Sequence, residues 1–385
     1  MKKLLLAVLL SVALALLFLW LKPTNVDPVA WMAPVAPKLE GPYAPNTILK
    51  DAQRLLVDVG RGPEGVAVDA SGAVYVGYED GRIVRLAPEG DRYREVANTG
   101  GRPLGIVAEA DGSLLVADSG RGLLSIDPNG VIIPLSKSAG GVPLGFTDDV
   151  DHLAGDTLAF FTDASTKFPN PYYLLDMFEH RPHGRVIVQD LAKQQSAVLF
   201  EDLYFANGIA VGPDGEWLLV AETGAYRITR FWLKGPKAGT REVFADNLPG
   251  FPDNLSFNGR DRVWVALPSV RDPALDGLSQ WPAVRRMLAN LPVPIQNLLG
   301  IHGTPHAFVL GFDLDGKLIA NLQYQADDAY APIMSVEEHG PWLYFGSLSE
   351  SSIARLPLQF AVPGSDAPPP GWEQTPTQPT LSDER

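Results

Sequence analysis

The sequence predicts an all-β fold, a six-bladed β-propeller with an N-terminal transmembrane anchor, from three features. One phrase of strand, Gly-containing turn, strand, turn and strand recurs six times across residues 47–360. Its period of about 40 residues or more is that of propeller blades. Helical periodicity is missing over most of that span, and one long apolar run precedes it. A β-sandwich would also alternate strands with turns, but the fixed order inside every copy favours the propeller.

The chain opens with residues 1–23, "MKKLLLAVLLSVALALLFLWLKP", in which Lys2 and Lys3 precede the uncharged residues 4–21. Roughly 18 apolar residues is the lower limit for a helix that crosses a bilayer core. A cleaved signal peptide has a shorter apolar region and a small-residue cleavage site, whereas Leu, Phe and Trp fill the end of this run. A retained signal-anchor is therefore expected. Lys2 and Lys3 hold the N-terminus in the cytoplasm, giving a single-pass membrane protein with its propeller on the non-cytoplasmic side, periplasmic, lumenal or extracellular. Residues 24–46 are Pro-rich and read as a stalk. Residues 361–385 are polar and Pro-rich, and read as a disordered tail.

The six copies begin at Pro63, Pro103, Thr147, Ala206, Pro252 and Ile333. Two inserts, near residues 166–183 and 269–306, are rich in aromatic and apolar side chains, and the second has helical patterning over residues 281–291. Insertions in repeat folds map to loops on one face, often the binding face, so both are expected to be lids over the central channel. A propeller must also tie its last blade to its first. Residues 47–59, "TILKDAQRLLVDV", have the apolar character of a strand that completes the sixth blade. The net charge of -14 argues against nucleic acid, which needs a basic face, and leaves cations as better partners. No cysteine is present, which excludes disulfides, thiol nucleophiles and thiolate metal sites.

In a propeller the innermost strands line the channel, so residues at the start of those strands face one another. Across the six copies this position holds Glu64, Leu104, Asp148, Asn207, Asp253 with Asn254, and a sixth residue near Met334. Taken singly, each Asp or Asn reads equally well as a turn residue. Four of six at one phase of a repeat read as a convergence of oxygens, which repel unless a hard cation sits between them. A set without Cys or His selects Ca²⁺, or another hard divalent cation, over Zn²⁺ or Cu²⁺.

The phrases "FANGIAVGPDG", "FPDNLSF", "FTDAST" followed by "HGRVIVQDL", and "EEHGPWLYFGSL" occur in that order along the chain. Through them it resembles the six-bladed propeller superfamily of strictosidine synthase-like proteins, paraoxonases and the regucalcin/gluconolactonase group. It looks closest to the branch containing the adipocyte plasma membrane-associated protein. The resemblance covers roughly residues 40–358 and implies that Glu64, Asn207, Asp253 and Asn254 are calcium ligands. In the third blade, Asp148 followed by Asp149 stands where the superfamily has an Asn before an Asp. Paraoxonase-type lactonases use a second-blade His as base, and here that position is Leu104. Strictosidine synthases use a sixth-blade Glu, and here Met334 or Ser335 falls at that place, with Glu337 out of phase.

The leading functional reading is a calcium-dependent hydrolase of small-molecule esters or lactones, the metal polarising the carbonyl. Asp148 or a histidine from a lid, His183, His302 or His306, would then handle the proton. No G-x-S-x-G phrase is present, which disfavours serine-esterase chemistry. A non-enzymatic propeller with a structural metal, or a strictosidine synthase-like condensing enzyme, are the alternatives. For the anchor, fractionation of full-length tagged protein should recover it entirely with membranes, and a soluble species starting near Thr24 would contradict a retained helix.

Overall fold

A computed structural model describes the chain apart from residues 154, 293, 294, 296–303 and 383–385, and apart from the side chains of residues 7, 8, 12, 15 and 16. Six four-stranded antiparallel sheets follow one another around the ring, each of strands consecutive in sequence except the sixth, and the first gains a short parallel fifth strand. Their first strands are Val66–Val68, Pro103–Ala108, Thr147–His152, Ala206–Val211, Leu255–Phe257 and Ser335–His339. Each first strand lies against the next, and the sixth returns to the first, so the ring is closed.

Closure comes from the N-terminal side. Gln53–Leu55 pairs antiparallel with Ile353–Pro357 and becomes the outermost strand of blade six. Leu55 thereby joins Val76, Tyr344 and Ile353 in the core between blades six and one. Every junction between blades has such a core. Trp264, 0% exposed, packs with Val336, Leu343 and Phe345 between blades five and six. Burying one side chain of this size contributes about 1.5–3 kcal/mol, so the ring is held by many such increments shared between neighbours.

The inner strands are irregular where they matter. Pairing slips between Pro103 and Gly105, between Thr147 and Val150, and between Ala206 and Ile209. A bulge sets two residues against one and re-aims a side chain, which here turns Leu104, Asp148 and Asn207 toward the middle of the ring. Gly208 permits the approach of two blades. A Cβ there would lie 2.6 Å from the Asn254 Cα, closer than any side chain tolerates.

Helix α1, Lys2–Leu21, is the apolar N-terminal run, with Leu4, Leu5, Leu10 and Phe18 exposed. Among the described residues no helix is long and apolar enough to cross a membrane, five side chains of α1 lying outside that set. The Pro-rich segment after it is no free stalk. Val26, 3% exposed, is buried among Phe168, Leu174 and Phe178, and Leu39 and Tyr43 pack on the core between blades four and five. Its backbone is held at Asp27 by the Glu179 carboxylate at 2.8 Å and at Trp31 by the Ser279 carbonyl at 3.2 Å. Three apolar anchors, Val26, Leu39 and Tyr43, outweigh the solubility of the prolines around them.

The C-terminal tail is likewise laid on the ring, contrary to the expectation of disorder. Trp372 meets Trp342 edge-on, with ring centroids 5.3 Å apart, and Thr380–Leu381 adds a short parallel strand beside Arg92 and Tyr93 of blade one. The inserts hold helices α2, Tyr173–Glu179, α3, Pro273–Gly277, and α4, Pro282–Ala289, and α2 packs on α4 over one face of the ring. A chain beginning at Gly60 lacks the closing strand and exposes the edge of Ile353–Pro357. It should aggregate on purification, as unpaired edges do, whereas a monomer of unchanged melting temperature would contradict closure by this strand.

Candidate active site

Beneath α2, α3 and α4 lies a cavity of about 940 Å³. Its floor is formed by the starts of the inner strands, and Glu64, Leu104, Asp148, Asn207, Asp253 and Met334 all line it. These six positions, each from a different blade, thus line one cavity, whereas Asn254 is buried next to Asp253 and does not line it. Glu64, Asp148, Asn207, Asp253 and Asn254 are each 5% exposed or less. Met334 fills the sixth position, and its carbonyl accepts the Asn254 N–H at 3.1 Å.

Three of these side chains end in oxygens without partners. Asp148 Oδ2, Asn207 Oδ1 and Asn254 Oδ1 are buried and accept no hydrogen bond. An orphaned buried acceptor costs about 1–3 kcal/mol, and native proteins rarely leave one. Charge repulsion adds to this. Burial, then the carboxylates of Asp253 and Glu64, push Asp148 well above the usual carboxyl range. Burial and then Glu64 do the same to Asp253, with the Asn207 amide opposing.

One basic group tempers the cluster, and the sequence reading missed it. Arg102 Nη2 pairs with Glu64 Oε2 at 2.7 Å while its Nη1 holds the Gly62 carbonyl at 2.8 Å. Burial still lifts Glu64 above its ordinary value, with Arg102 pulling the other way. Arg102 sits two residues before the phase position of blade two and reaches back to blade one, so reading one position per repeat could not find it. Asp149 is spent differently. Its carboxylate accepts the N–H groups of Ile209 at 2.9 Å and Val150 at 2.9 Å, stapling blade three to blade four.

The donor set suits a hard cation: carboxylate oxygens of Asp148 and Asp253, amide oxygens of Asn207 and Asn254, and Glu64 shared with Arg102. Among the described residues no group of three or more His, Cys, Asp or Glu side chains is gathered to hold a metal ion by itself. The three orphaned oxygens of Asp148, Asn207 and Asn254 are of the type a hard cation takes.

Above the floor the walls are apolar. Leu104, 2% exposed, packs with Phe146, Ala164 and Phe205, against Tyr173 and Met177 of the lid. Burial, then the charges of Glu64 and Asp253, raise the Tyr173 hydroxyl above its usual value, so this cavity-lining group stays protonated. Of the candidate histidines, the two described ones, His183 and His306, do not line the cavity. His183 Nε2 is 2.7 Å from Glu179 Oε1, within a lid network that includes Lys167. His306 begins the third strand of blade five, contacts Gln323 Oε1 at 3.0 Å, stacks on Phe308, and does not line the cavity. His302 lies outside the described residues. The histidine that does line the cavity is His180, in the phrase "FEHRPH", stacked on Trp31 at 3.8 Å between ring centroids.

Comparison with known proteins places these features in context. Residues 148–236 match the strictosidine synthase family model, and residues 41–86 the strictosidine synthase-like N-terminal model. The adipocyte plasma membrane-associated protein of Salmo salar is 33% identical over 365 residues, 90% of this chain and 86% of that one. That of Rattus norvegicus is 31% identical over 373 residues, 91% and 98% of the two chains. Protein strictosidine synthase-like 7 of Arabidopsis thaliana is 36% identical over 206 residues, 54% of this chain and 53% of its own, so the match spans about half the length of the plant relatives. Among solved structures, a gluconolactonase of Xanthomonas campestris has a TM-score of 0.56 at 19% identity, covering 88% and 99%. A calcium-binding regucalcin of Agrobacterium tumefaciens has 0.56 at 18%, covering 79% and 93%. At such identities the likeness is one of fold.

The raised carboxyl groups set the pH behaviour. The unfolded chain releases these protons near the ordinary value of about 3.9, whereas the metal-free fold retains them, Asp149 to about 8 through burial. In metal-free protein these groups therefore contribute stability that is fully present below that ordinary value and is lost as pH rises through the raised ones. Calcium favours the ionised form, so the gap in melting temperature between calcium-loaded and EDTA-treated protein should widen from about pH 5 to about pH 8. Asp253→Ala should close the gap. A melting temperature indifferent to EDTA at every pH would contradict the cation site.

Proposed function

Since the chain belongs to the strictosidine synthase-like family, in the branch of the adipocyte plasma membrane-associated proteins, we propose that it is a calcium-dependent hydrolase of esters or lactones. The observation that carries this reading is the floor itself: three orphaned oxygens and two raised carboxyls beneath an apolar cavity of about 940 Å³. Glu64, Asp148, Asn207, Asp253 and Asn254 would hold the ion, which when bound supplies Lewis-acid polarisation of a carbonyl. Leu104, Phe146 and Phe205 keep water from the acyl side and orient an apolar substituent. In this reading the ionised Asp148 offers Oδ2 to the ion, and the Tyr173 hydroxyl, which stays protonated, donates to a developing oxyanion. A lactonase of known fold among the neighbours supports the choice of substrate class.

The same reading hangs the propeller from helix α1 in a membrane. Its exposed leucines and the paired Lys2 and Lys3 support a span with the ring on the non-cytoplasmic side. The strap of residues 24–46 then brings the ring close to the bilayer, since those residues are bound to the lid rather than extended.

One observation favours a second reading, a ligand-binding propeller whose metal is structural. Leu104 and Met334 occupy the second- and sixth-blade positions where relatives in this superfamily carry a proton-transfer group, and neither can move a proton. Hydrolysis of aryl acetates and of γ- and δ-lactones by purified protein separates the two. Turnover that EDTA abolishes and calcium restores is expected, and Leu104→His should raise lactone hydrolysis more than about threefold by returning a base to the floor. Metal-replete protein that binds lactones without turning them over would favour the binding reading.

A further inference from the structure

The roof of the cavity holds a buried cation without a counter-ion among the described residues. Arg285, on α4, lines the cavity and is 3% exposed. Its guanidinium donates to the carbonyls of Phe178 at 2.8 Å, Ser279 at 3.0 Å and Val29, and its Nε is buried with no partner. Other arginines near the roof have acids: Arg271 pairs with Asp276 at 2.7 Å and Arg227 with Glu222 at 2.7 Å. Arg285 has none among the described residues, and burial alone pulls its value down. Carbonyl dipoles solvate a guanidinium in part, but a buried net charge calls for an opposite one.

Its neighbour sharpens the point. His180 ends α2 in the left-handed conformation, φ 53°, and its ring is sandwiched between Trp31 and Tyr204, at 3.8 and 4.7 Å between centroids. Burial, then the charges of Arg285 and Arg227, push it down to about 3, so it stays neutral and cannot compete with Arg285 for an anion. The cavity therefore has acidic groups on its floor and, in its roof, a guanidinium with no acid beside it among the described residues, with apolar walls between.

We propose that Arg285 is a specificity-determining residue that binds a carboxylate of the substrate, which is an ester or lactone bearing a carboxylate remote from its scissile carbonyl. The carbonyl lies at the floor and the carboxylate pairs with the Arg285 guanidinium, which lines the cavity, with the apolar walls covering the chain between. The identity of the reactive end rests on the hydrolase reading, whereas the anion site stands on Arg285 itself. Hydrolysis then adds water across the acyl–oxygen bond, hydroxyl to the acyl carbon and proton to the leaving oxygen, with no redox partner.

Two probes test this, 4-nitrophenyl acetate and 4-nitrophenyl hydrogen glutarate, alike at the ester and different in the remote carboxylate. Calcium-loaded full-length protein should show a KM for the glutarate ester at least about tenfold below that for the acetate, and Arg285→Gln should erase most of that ratio, with Arg285→Lys retaining part of it. A loss shared equally by both esters would overturn the proposal. Should Arg285→Gln fail to fold, wild type decides: glutarate must compete with substrate and glutaramide must not. Should neither ester be hydrolysed, calorimetry keeps the two ideas apart. Glutarate binding that Arg285→Lys weakens leaves the anion site standing and removes the hydrolase, whereas no glutarate binding to the folded wild type removes the anion site.

Discussion

Glu64, Asp148 and Asp253 are buried together at the centre of the ring, with one arginine to offset them. Like charges out of water repel strongly, and an acid in that position either keeps its proton or finds a cation. The two nearby amide oxygens without partners cannot solve the problem by protonation, because an amide accepts and does not take up a proton near neutral pH. A hard cation satisfies all of them at once. It would also bind blades one, three, four and five to each other, which makes the metal a structural tie as well as a chemical one.

The rest of the molecule can be understood as enclosure of that centre. Bulges at the starts of the inner strands aim the oxygens inward, and Gly208 lets the blades approach closely enough for them to meet. Two inserts form a roof, and the N-terminal segment straps it down, with Trp31 inserted beside His180 and Arg285 gripping the strap at Val29. Closing the space raises the strength of every charge inside it, since little water remains to screen them. The strap also connects the roof to α1, so the segment that enters the site is the one leading from the apolar helix.

The sequence made the ring legible because blade chemistry repeats: turn residues and strand alternation recur with one phase, and the floor residues share a position in that phase. Gln53–Leu55 was readable for a similar reason, since a closed ring needs a strand from the other end of the chain. What repetition does not encode stayed hidden. Arg102 acts across a blade boundary from outside the shared position. The strap looked like solvated linker because composition averages over Val26, Trp31, Leu39 and Tyr43, which are few but each buried or half-buried. Histidines were sought by their chemistry, yet His183 is consumed by Glu179 and His306 by Gln323, whereas His180 became visible only when the turn after α2 brought it over the cavity.

The central claim is that the orphaned oxygens of Asp148, Asn207 and Asn254 are halves of metal–oxygen bonds. Crystals grown with calcium, measured at a long wavelength where calcium scatters anomalously, test it without reference to any activity. The account predicts one strong peak on the cavity floor, at about 2.3–2.6 Å from Asp148 Oδ2, Asn207 Oδ1 and Asn254 Oδ1. Density at that place that carries no anomalous signal at saturating calcium, with water on the three oxygens, would contradict it.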